Sequence, residues 1–199
     1  MWRVLVFPFA LLYGIIVFLR NKFFDWGILP SKEFDIPVIS VGNLSVGGSG
    51  KTPHIEYLIR LLNKEYNIAT LSRGYKRKTK GFRIAKQNAG AAEVGDEPSQ
   101  FKHKFRKLTV AVDGKRRRGI REIQKLDPYV NVILLDDAFQ HRYVKPGLNI
   151  LVTDYHNPHT TDFLMPSGTL REHARGAKRA DIIIVSKTPN VLSPITKRR

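Results

Sequence analysis

Residues 45–52 read Ser45-Val46-Gly47-Gly48-Ser49-Gly50-Lys51-Thr52, and this glycine-rich stretch decides the fold. It follows an apolar run at residues 36–41 that predicts a buried strand, and it precedes an amphipathic pattern that predicts a helix over residues 52–66. Glycines allow consecutive backbone N–H groups to turn toward a phosphate, and the helix N-terminus adds the positive end of its dipole. The pattern is therefore that of a P-loop.

We expect all eight residues of this loop to bind nucleotide. Lys51 would reach the β- and γ-phosphates, and the Thr52 hydroxyl would bind Mg²⁺. The strict motif has Gly where this chain has Ser45, and the alternative is a flexible glycine-rich turn without a ligand. The strand–loop–helix context favours the P-loop.

Further apolar runs continue the strand pattern along the chain. Strands are predicted at residues 68–71, 108–112, 130–135, 149–153 and 181–186, with another helix at residues 119–126. Strands separated by helical crossovers indicate an α/β, P-loop NTPase-like fold, with a mostly parallel sheet and helices on both faces. Ligands of such sheets bind at the carboxyl ends of the strands.

Two acidic clusters follow predicted strands. Leu134-Leu135-Asp136-Asp137 ends an apolar run in two carboxylates, which is how P-loop enzymes bring an oxygen ligand to the metal, although an Asp-initiated turn is the alternative. In Gly95-Asp96-Glu97-Pro98, Asp96 has two possible roles: it accepts the proton of an attacking hydroxyl, or it is the N-cap of a helix.

The N-terminus is apolar. Val4 to Leu19 contains only apolar or aromatic residues, Gly and Pro, and is flanked by basic residues. This run is shorter than the roughly 20 residues that span a bilayer comfortably, so we expect a membrane-inserted or membrane-surface helix. A cleaved signal peptide and a buried core helix are the alternatives. An aromatic group after the run would suit the headgroup boundary: Phe18, Phe23, Phe24 and Trp26.

The composition indicates an anionic partner. Lys and Arg number 34 against 17 Asp and Glu, a net charge of +17. A membrane surface, a phosphorylated substrate and nucleic acid all qualify. No nucleic acid is expected, because the basic runs at residues 76–78 and 115–118 do not alternate with stacking aromatics. The chain has no Cys, which excludes disulfides and thiolate metal sites within it.

Five motifs, in order, carry a resemblance to a known family. They are Val41-Gly42-Asn43-Leu44 with the P-loop and Pro53, Leu71-Ser72-Arg73-Gly74-Tyr75, Gly95-Asp96-Glu97-Pro98, Asp136-Asp137-Ala138-Phe139-Gln140-His141, and Leu164-Met165-Pro166-Ser167-Gly168-Thr169-Leu170-Arg171-Glu172. Together they resemble the tetraacyldisaccharide 4'-kinases, the lipid A 4'-kinases of Gram-negative bacteria. The apolar N-terminus and the basic surface are similar as well.

The resemblance implies a reaction and a place. ATP would donate its γ-phosphate, with Mg²⁺, to the 4'-hydroxyl of the lipid A precursor tetraacyldisaccharide 1-phosphate, giving lipid IVA. The reaction would occur at the cytoplasmic face of the bacterial inner membrane.

The resemblance also implies roles for residues of this chain. Lys51 and Thr52 would bind nucleotide and metal, and Asp136 and Asp137 would lie at the metal. Asp96 is similar to the catalytic base of the family. The matching motifs place three more side chains in the active site: Arg73, His141 and Arg171.

Two departures from the family are visible. Ala138 stands where Gly is usual, and family members are considerably longer than this chain. We therefore expect residues 1–27 to form the N-terminal helix and its connector, and residues 28–199 to form a P-loop kinase domain that lacks the second lobe. Two other functions compete with the lipid kinase: a non-enzymatic nucleotide switch, and a kinase of a soluble small molecule with the apolar N-terminus as core.

Overall fold

The computed structural model describes residues 6–190 and contains one seven-stranded sheet. The strands lie in the order β3-β4-β2-β5-β1-β6-β7, and every neighbouring pair is parallel except β3–β4. The strands are β1 (Val38–Gly42), β2 (Ile68–Ser72), β3 (Arg83–Ile84), β4 (Thr109–Val112), β5 (Val132–Asp136), β6 (Leu148–Asp154) and β7 (Ile182–Ser186). The predicted α/β fold is confirmed.

Helices cover both faces of the sheet. They are α1 (Phe7–Asp25), α2 (Lys51–Leu62), α3 (Ala91–Val94), α4 (Asp96–Lys104) and α5 (Arg116–Leu126), followed by a 3₁₀ helix at Ala174–Arg179. Alternate residues of β5 divide between two cores: Leu134 packs with Ile55 of α2, and Ile133 packs with Ile120 of α5. Strands buried on both faces read as continuous apolar runs, which is why the sequence predicted them well.

The region between β2 and β4 contains elements that the sequence did not predict. β3 has only two residues, and α3 has only four. In α4 the polar residues outnumber the apolar ones, and only Pro98, Ser99 and Phe101 are buried. Such short or polar segments lack the periodicity on which the predictions rested.

Helix α1 lies against the core with little of its surface buried. It is longer than the apolar run, ending at Asp25, and its buried residues are Ala10 and Phe24. By length and composition it is the one helix within residues 6–190 apolar enough to cross a membrane. Apart from Ala10 and Phe24, its side chains do not form part of the core within residues 6–190, and the exposed ones include Phe9, Leu11, Leu12, Ile15, Ile16, Phe18 and Leu19.

One aromatic expectation for α1 is wrong. Phe18, Phe23 and Trp26 are exposed, but Phe24 is buried and its ring meets Tyr143 edge to face, with centroids 4.9 Å apart. Phe24 therefore attaches α1 to the core and is not free to contact lipid headgroups.

Candidate active site

The P-loop connects the end of β1 to the start of α2, as the sequence predicted. Gly50 precedes α2 with a φ of 80°, a left-handed conformation that favours glycine. Lys51 begins the helix, so the first backbone N–H groups of α2 point into the loop. Thr52 follows in the first turn of α2 and is half-buried.

Backbone and side-chain hydrogen bonds hold the loop on two sides. On one side, Val46 N–H donates to the Thr169 carbonyl at 2.8 Å. On the other, the Ser186 hydroxyl donates to the Ser49 carbonyl at 2.8 Å, and Lys187 Nζ donates to the Gly48 carbonyl at 2.7 Å. The Ser49 N–H donates to the Gly47 carbonyl at 3.1 Å, so the loop is held in a defined conformation by bonds to its carbonyls and to two of its N–H groups.

Asp137 is bound by two cations of the site. Arg171 donates from one guanidinium nitrogen to both its carboxylate oxygens, at 2.9 and 3.0 Å, and Lys51 Nζ lies 3.5 Å away. Burial raises the pKa of Asp137, but Lys51 and Arg171 outweigh it and hold that pKa below its usual range. Asp137 also has a φ of 48°, which is uncommon for a residue other than glycine. The structure thus brings three of the predicted residues into direct contact.

Asp136 is a buried carboxylate without a protein partner. Its exposed fraction is 1%, and neither carboxylate oxygen has a hydrogen-bond partner within residues 6–190. Burial, together with the charges of Glu97 and Asp137, raises its pKa to about 7. A buried carboxylate of this kind is costly unless a cation neutralises it.

The residues present fit a Mg²⁺ ion. No group of three or more His, Cys, Asp or Glu side chains that would hold a metal is found in the described part of the chain. Mg²⁺ in phosphoryl-transfer sites needs only one or two carboxylates, because phosphate oxygens and water complete its shell. The unpartnered oxygens of Asp136 fit that demand, and Thr52 fits the remaining protein ligand of a P-loop site.

Asp96 and Glu97 occupy different positions at the start of α4. Gly95 precedes the helix with a φ of 97°, so Asp96 is its first residue and not the N-cap. The Asp96 side chain is exposed, whereas Glu97 lines the cleft, where burial raises its pKa against the opposing charge of Lys51. A cap role for Asp96 is therefore excluded, and Glu97 is a second carboxylate that the sequence did not distinguish from it.

His141 and Arg73 both line the cleft. Burial, with Arg116, Arg20 and Arg73 nearby, lowers the pKa of His141 to about 4. Its imidazole is therefore neutral near pH 7, and it acts as a hydrogen-bonding group, not as a cation. Arg73 follows β2 and its side chain is exposed at the cleft.

One cleft of about 930 Å³ brings together most of these side chains, whereas Thr52 and Asp96 are not among its lining residues. The lining includes Lys51, Arg73, Glu97, Asp136, Asp137, His141 and Arg171. The opposite wall of the cleft comes from α1, with Tyr13, Val17, Arg20 and Asn21 at the spacing of one helix face. The lining residues to which the sequence assigned no role include Glu97, Arg116, Gln140 and Glu172. Arg116 offered a signal, because it closely follows β4. The α1 residues offered little, because Tyr13 and Val17 lie inside the apolar run and Arg20 and Asn21 follow it as ordinary flanking residues.

The fold and the cleft define a P-loop, NTPase-like protein with a nucleotide-binding cleft. The sequence profile of the tetraacyldisaccharide-1-P 4'-kinase family (LpxK) matches residues 2–198. The chain belongs to this family, and the resemblance of the five motifs is confirmed.

Curated relatives and a solved structure agree with the family match. The chain is 55% identical over 196 residues to a tetraacyldisaccharide 4'-kinase of Parabacteroides distasonis, covering 98% of this chain and 53% of the relative. With the relative from Flavobacterium johnsoniae the identity is 56%, over 96% of this chain and 56% of the relative. The chain thus spans about half the length of these relatives.

The solved structure is that of "apo" form LpxK from Aquifex aeolicus in complex with ATP. It has a TM-score of 0.87 and 37% sequence identity, over 98% of this chain and 63% of that chain.

Proposed function

We propose that this protein functions as a tetraacyldisaccharide 4'-kinase. It transfers the γ-phosphate of ATP to the 4'-hydroxyl of tetraacyldisaccharide 1-phosphate and gives lipid IVA. The observation that carries the proposal is the single cleft that joins the P-loop, the Lys51–Asp137–Arg171 cluster and one face of an apolar helix. A kinase with a soluble acceptor has no need of that third component. The 53–55% identity to named 4'-kinases supports the same substrate.

The residues of the P-loop would bind the phosphates. Gly47 and Gly48 have open space where a side chain would begin, so the phosphates meet backbone N–H groups directly. Lys51 and Arg171 supply positive charge on two sides of Asp137. In phosphoryl transfer such groups position the reactants and stabilise charge on the equatorial oxygens.

Asp136 and Thr52 would hold Mg²⁺, which would supply positive charge to neutralise the charge that develops on the phosphates. Asp137 would orient Lys51 and Arg171, with which it forms ion pairs. Arg73 and His141 would contact substrate from the cleft wall.

Asp96 remains the proposed base for the acceptor hydroxyl. Its exposed carboxylate at the first turn of α4 is accessible to an acceptor arriving from outside the cleft. Glu97, one residue on, lies deeper and close to Lys51 and Asp137, which suits a role at the metal or the phosphates.

The acceptor would arrive from a membrane surface, which we propose is the cytoplasmic face of the bacterial inner membrane, where ATP is available. Helix α1 presents an apolar outer face, with Phe9 65% and Ile16 58% exposed, while its inner face lines the cleft. The net charge of +17 would strengthen binding to anionic lipid. In this proposal residues 1–27 form the membrane-associated segment and residues 28–199 belong to the P-loop kinase domain.

The transfer itself is tested with the full-length protein, radiolabelled ATP and purified tetraacyldisaccharide 1-phosphate. We expect a 4'-phosphorylated product, and a loss of about 10²–10³-fold in turnover for Lys51→Ala. Lys125→Ala is the matched control, because Lys125 is exposed and pairs only with Glu122 on the same helix. Hydrolysis of ATP without any acceptor would favour the switch, and transfer to a water-soluble sugar alone would favour the soluble kinase.

Membrane contact is tested by changing the outer face of α1 while keeping its inner face. Phe9→Ser, Leu12→Ser and Ile16→Ser together should move the protein from vesicles to the supernatant. Leu61→Ser with Leu126→Ser is the control, because both are exposed on other helices. If the triple variant stays on vesicles in high salt, α1 is not the membrane anchor; binding only in low salt would assign the attachment to the basic surface.

A further inference from the structure

Glu172 is a fully buried carboxylate that joins three parts of the molecule. Its exposed fraction is 1%. One oxygen accepts a hydrogen bond from Asn21 Nδ2 of α1 at 2.9 Å. The other accepts from Gln140 Nε2 at 3.1 Å and from Arg179 at 2.8 Å. A buried charge with three donors is stable in this arrangement and costly to leave partly unpaired.

Gln140 extends the network to the phosphate site. Its side-chain amide also donates to the Asn43 carbonyl at 2.8 Å, close to the end of β1, from which the P-loop starts. Its Oε1 lies 3.5 Å from the Arg171 guanidinium, which in turn binds Asp137. Two further bonds come from α1: Arg20 donates to the Gln140 carbonyl at 3.0 Å, and the Tyr13 hydroxyl donates to the Arg171 carbonyl at 2.7 Å.

The same residues therefore hold α1 and arrange the phosphate site. Three α1 side chains, Tyr13, Arg20 and Asn21, bond directly to residues 140, 171 and 172. Few apolar contacts assist them, since Ala10 and Phe24 are the buried residues of α1. The position of α1 on the core thus depends in part on polar bonds to residues that line the phosphate site.

We infer that Glu172 is a positioning residue that couples the seating of α1 on the core to the order of the phosphate site, so that nucleotide binding and α1 docking strengthen each other. When phosphates attract Lys51 away from Asp137, Arg171 remains as the ion-pair partner of the Asp137 carboxylate. Arg171 is then fixed more firmly, and so are its contacts with Gln140 and Tyr13. Coupling of this kind is reciprocal by thermodynamic necessity. The inference rests on the proposed function in taking the P-loop as the ATP site.

The structure supplies a matched control for the α1 contacts. Asp25, at the end of α1, pairs with Arg142 at 2.7 Å, and Arg142 also donates to the Asn21 carbonyl. That pair attaches α1 to the core without using Glu172 or Gln140. Asp25→Ala therefore loosens the helix and leaves the path to the phosphate site intact.

The experiment is amide hydrogen exchange of the full-length protein in uncharged detergent micelles, with and without Mg²⁺ and a non-hydrolysable ATP analogue. In the unsubstituted protein the analogue should slow exchange in residues 20–26 of α1 by about fivefold or more, the lower range of typical coupling. Asn21→Ala and Glu172→Gln should lose this slowing while the P-loop amides remain protected by the analogue. Asp25→Ala should keep it.

Two results would overturn the inference: no effect of the analogue on α1 in the unsubstituted protein, or equal loss in Asn21→Ala and Asp25→Ala. If Glu172 has only a structural role, Glu172→Gln will raise amide exchange in α1 equally with and without nucleotide, and this result would also contradict the inference. Asn21→Ala retains two of the three donors to Glu172, so it remains informative if Glu172→Gln fails to fold. Because no acceptor is present, failure of the 4'-kinase assay leaves this outcome unaffected.

Discussion

Asp136→Asn should make the metal-free protein more stable at pH 8. The pKa of this carboxyl is raised from 3.8 to about 7 by burial first and by Glu97 and Asp137 next. At about 1.4 kcal/mol per pKa unit, charging Asp136 costs on the order of 4 kcal/mol. Asparagine removes the charge but keeps an unpaired buried polar group, worth about 1–3 kcal/mol. The net gain at pH 8 is therefore about 1–3 kcal/mol.

The direction in which stability changes with pH follows from proton linkage. The folded protein holds a proton on Asp136 between about pH 4 and pH 7, where the unfolded chain has lost it, so stability falls as pH rises through this window. Thermal unfolding in EDTA at pH 5.5 and pH 8 measures the effect. The unsubstituted protein should lose stability between these values, and the variant should lose much less.

Mg²⁺ with ATP should reverse the order of stability, so that the unsubstituted protein becomes more stable than Asp136→Asn. Ligand at about 100 times its Kd stabilises a protein by about 2.7 kcal/mol, and we expect the variant to lose most of this gain. Asp113→Asn is the control, because Asp113 is equally buried, at 1%. Burial raises the pKa of Asp113, but Arg118 and the Lys115 N–H lower it below its usual value, so that variant should be less stable at pH 8. Two results would refute the reasoning. One is that stability changes with pH in the same way in Asp136→Asn and in the unsubstituted protein, and the other is that Mg²⁺ with ATP stabilises both equally.

Three further predictions concern neighbouring residues. If Asp96 is the base, Asp96→Asn should lower kcat about 10²–10⁴-fold with little change in ATP affinity. Glu97→Gln should instead change the dependence of activity on Mg²⁺ concentration. The reverse pattern would exchange the roles of the two residues. Gly95→Ala should destabilise the protein by about 1–3 kcal/mol in thermal unfolding, because φ is 97° and the new Cβ would lie 3.0 Å from the backbone of Gly74. His141→Gln should leave the shape of the pH–rate profile unchanged from pH 6 to 8, because the imidazole with a pKa of about 4 is already neutral; a shifted limb would contradict this.

The central sheet and the P-loop were predictable because their signals are local. The apolar run before Asp136 and Asp137 is long enough to indicate a buried strand, and its end places both carboxylates at the ligand edge. The sequence could not separate their roles. That distinction depends on Asp137 having a φ of 48° and meeting Lys51 and Arg171, while Asp136 points into the interior.

The second wall of the cleft was beyond sequence reasoning. Tyr13 and the Arg171 carbonyl are 158 positions apart, and their bond depends on how α1 lies against the folded core. Asn21 and Glu172 are likewise distant in sequence, and each alone reads as an ordinary polar residue. Periodicity describes one element at a time, so contacts between elements need the three-dimensional packing.

The two bonds from the end of β7 to the P-loop have an entropic consequence. Ser186 and Lys187 fix the carbonyls of Ser49 and Gly48, in a loop whose glycines would otherwise sample many conformations. Freezing those conformations before the nucleotide arrives lowers the ordering cost of binding. These bonds also make the conformation of the loop depend on the position of β7. A displacement of that strand would break both bonds at once and lower the affinity of the loop for phosphate.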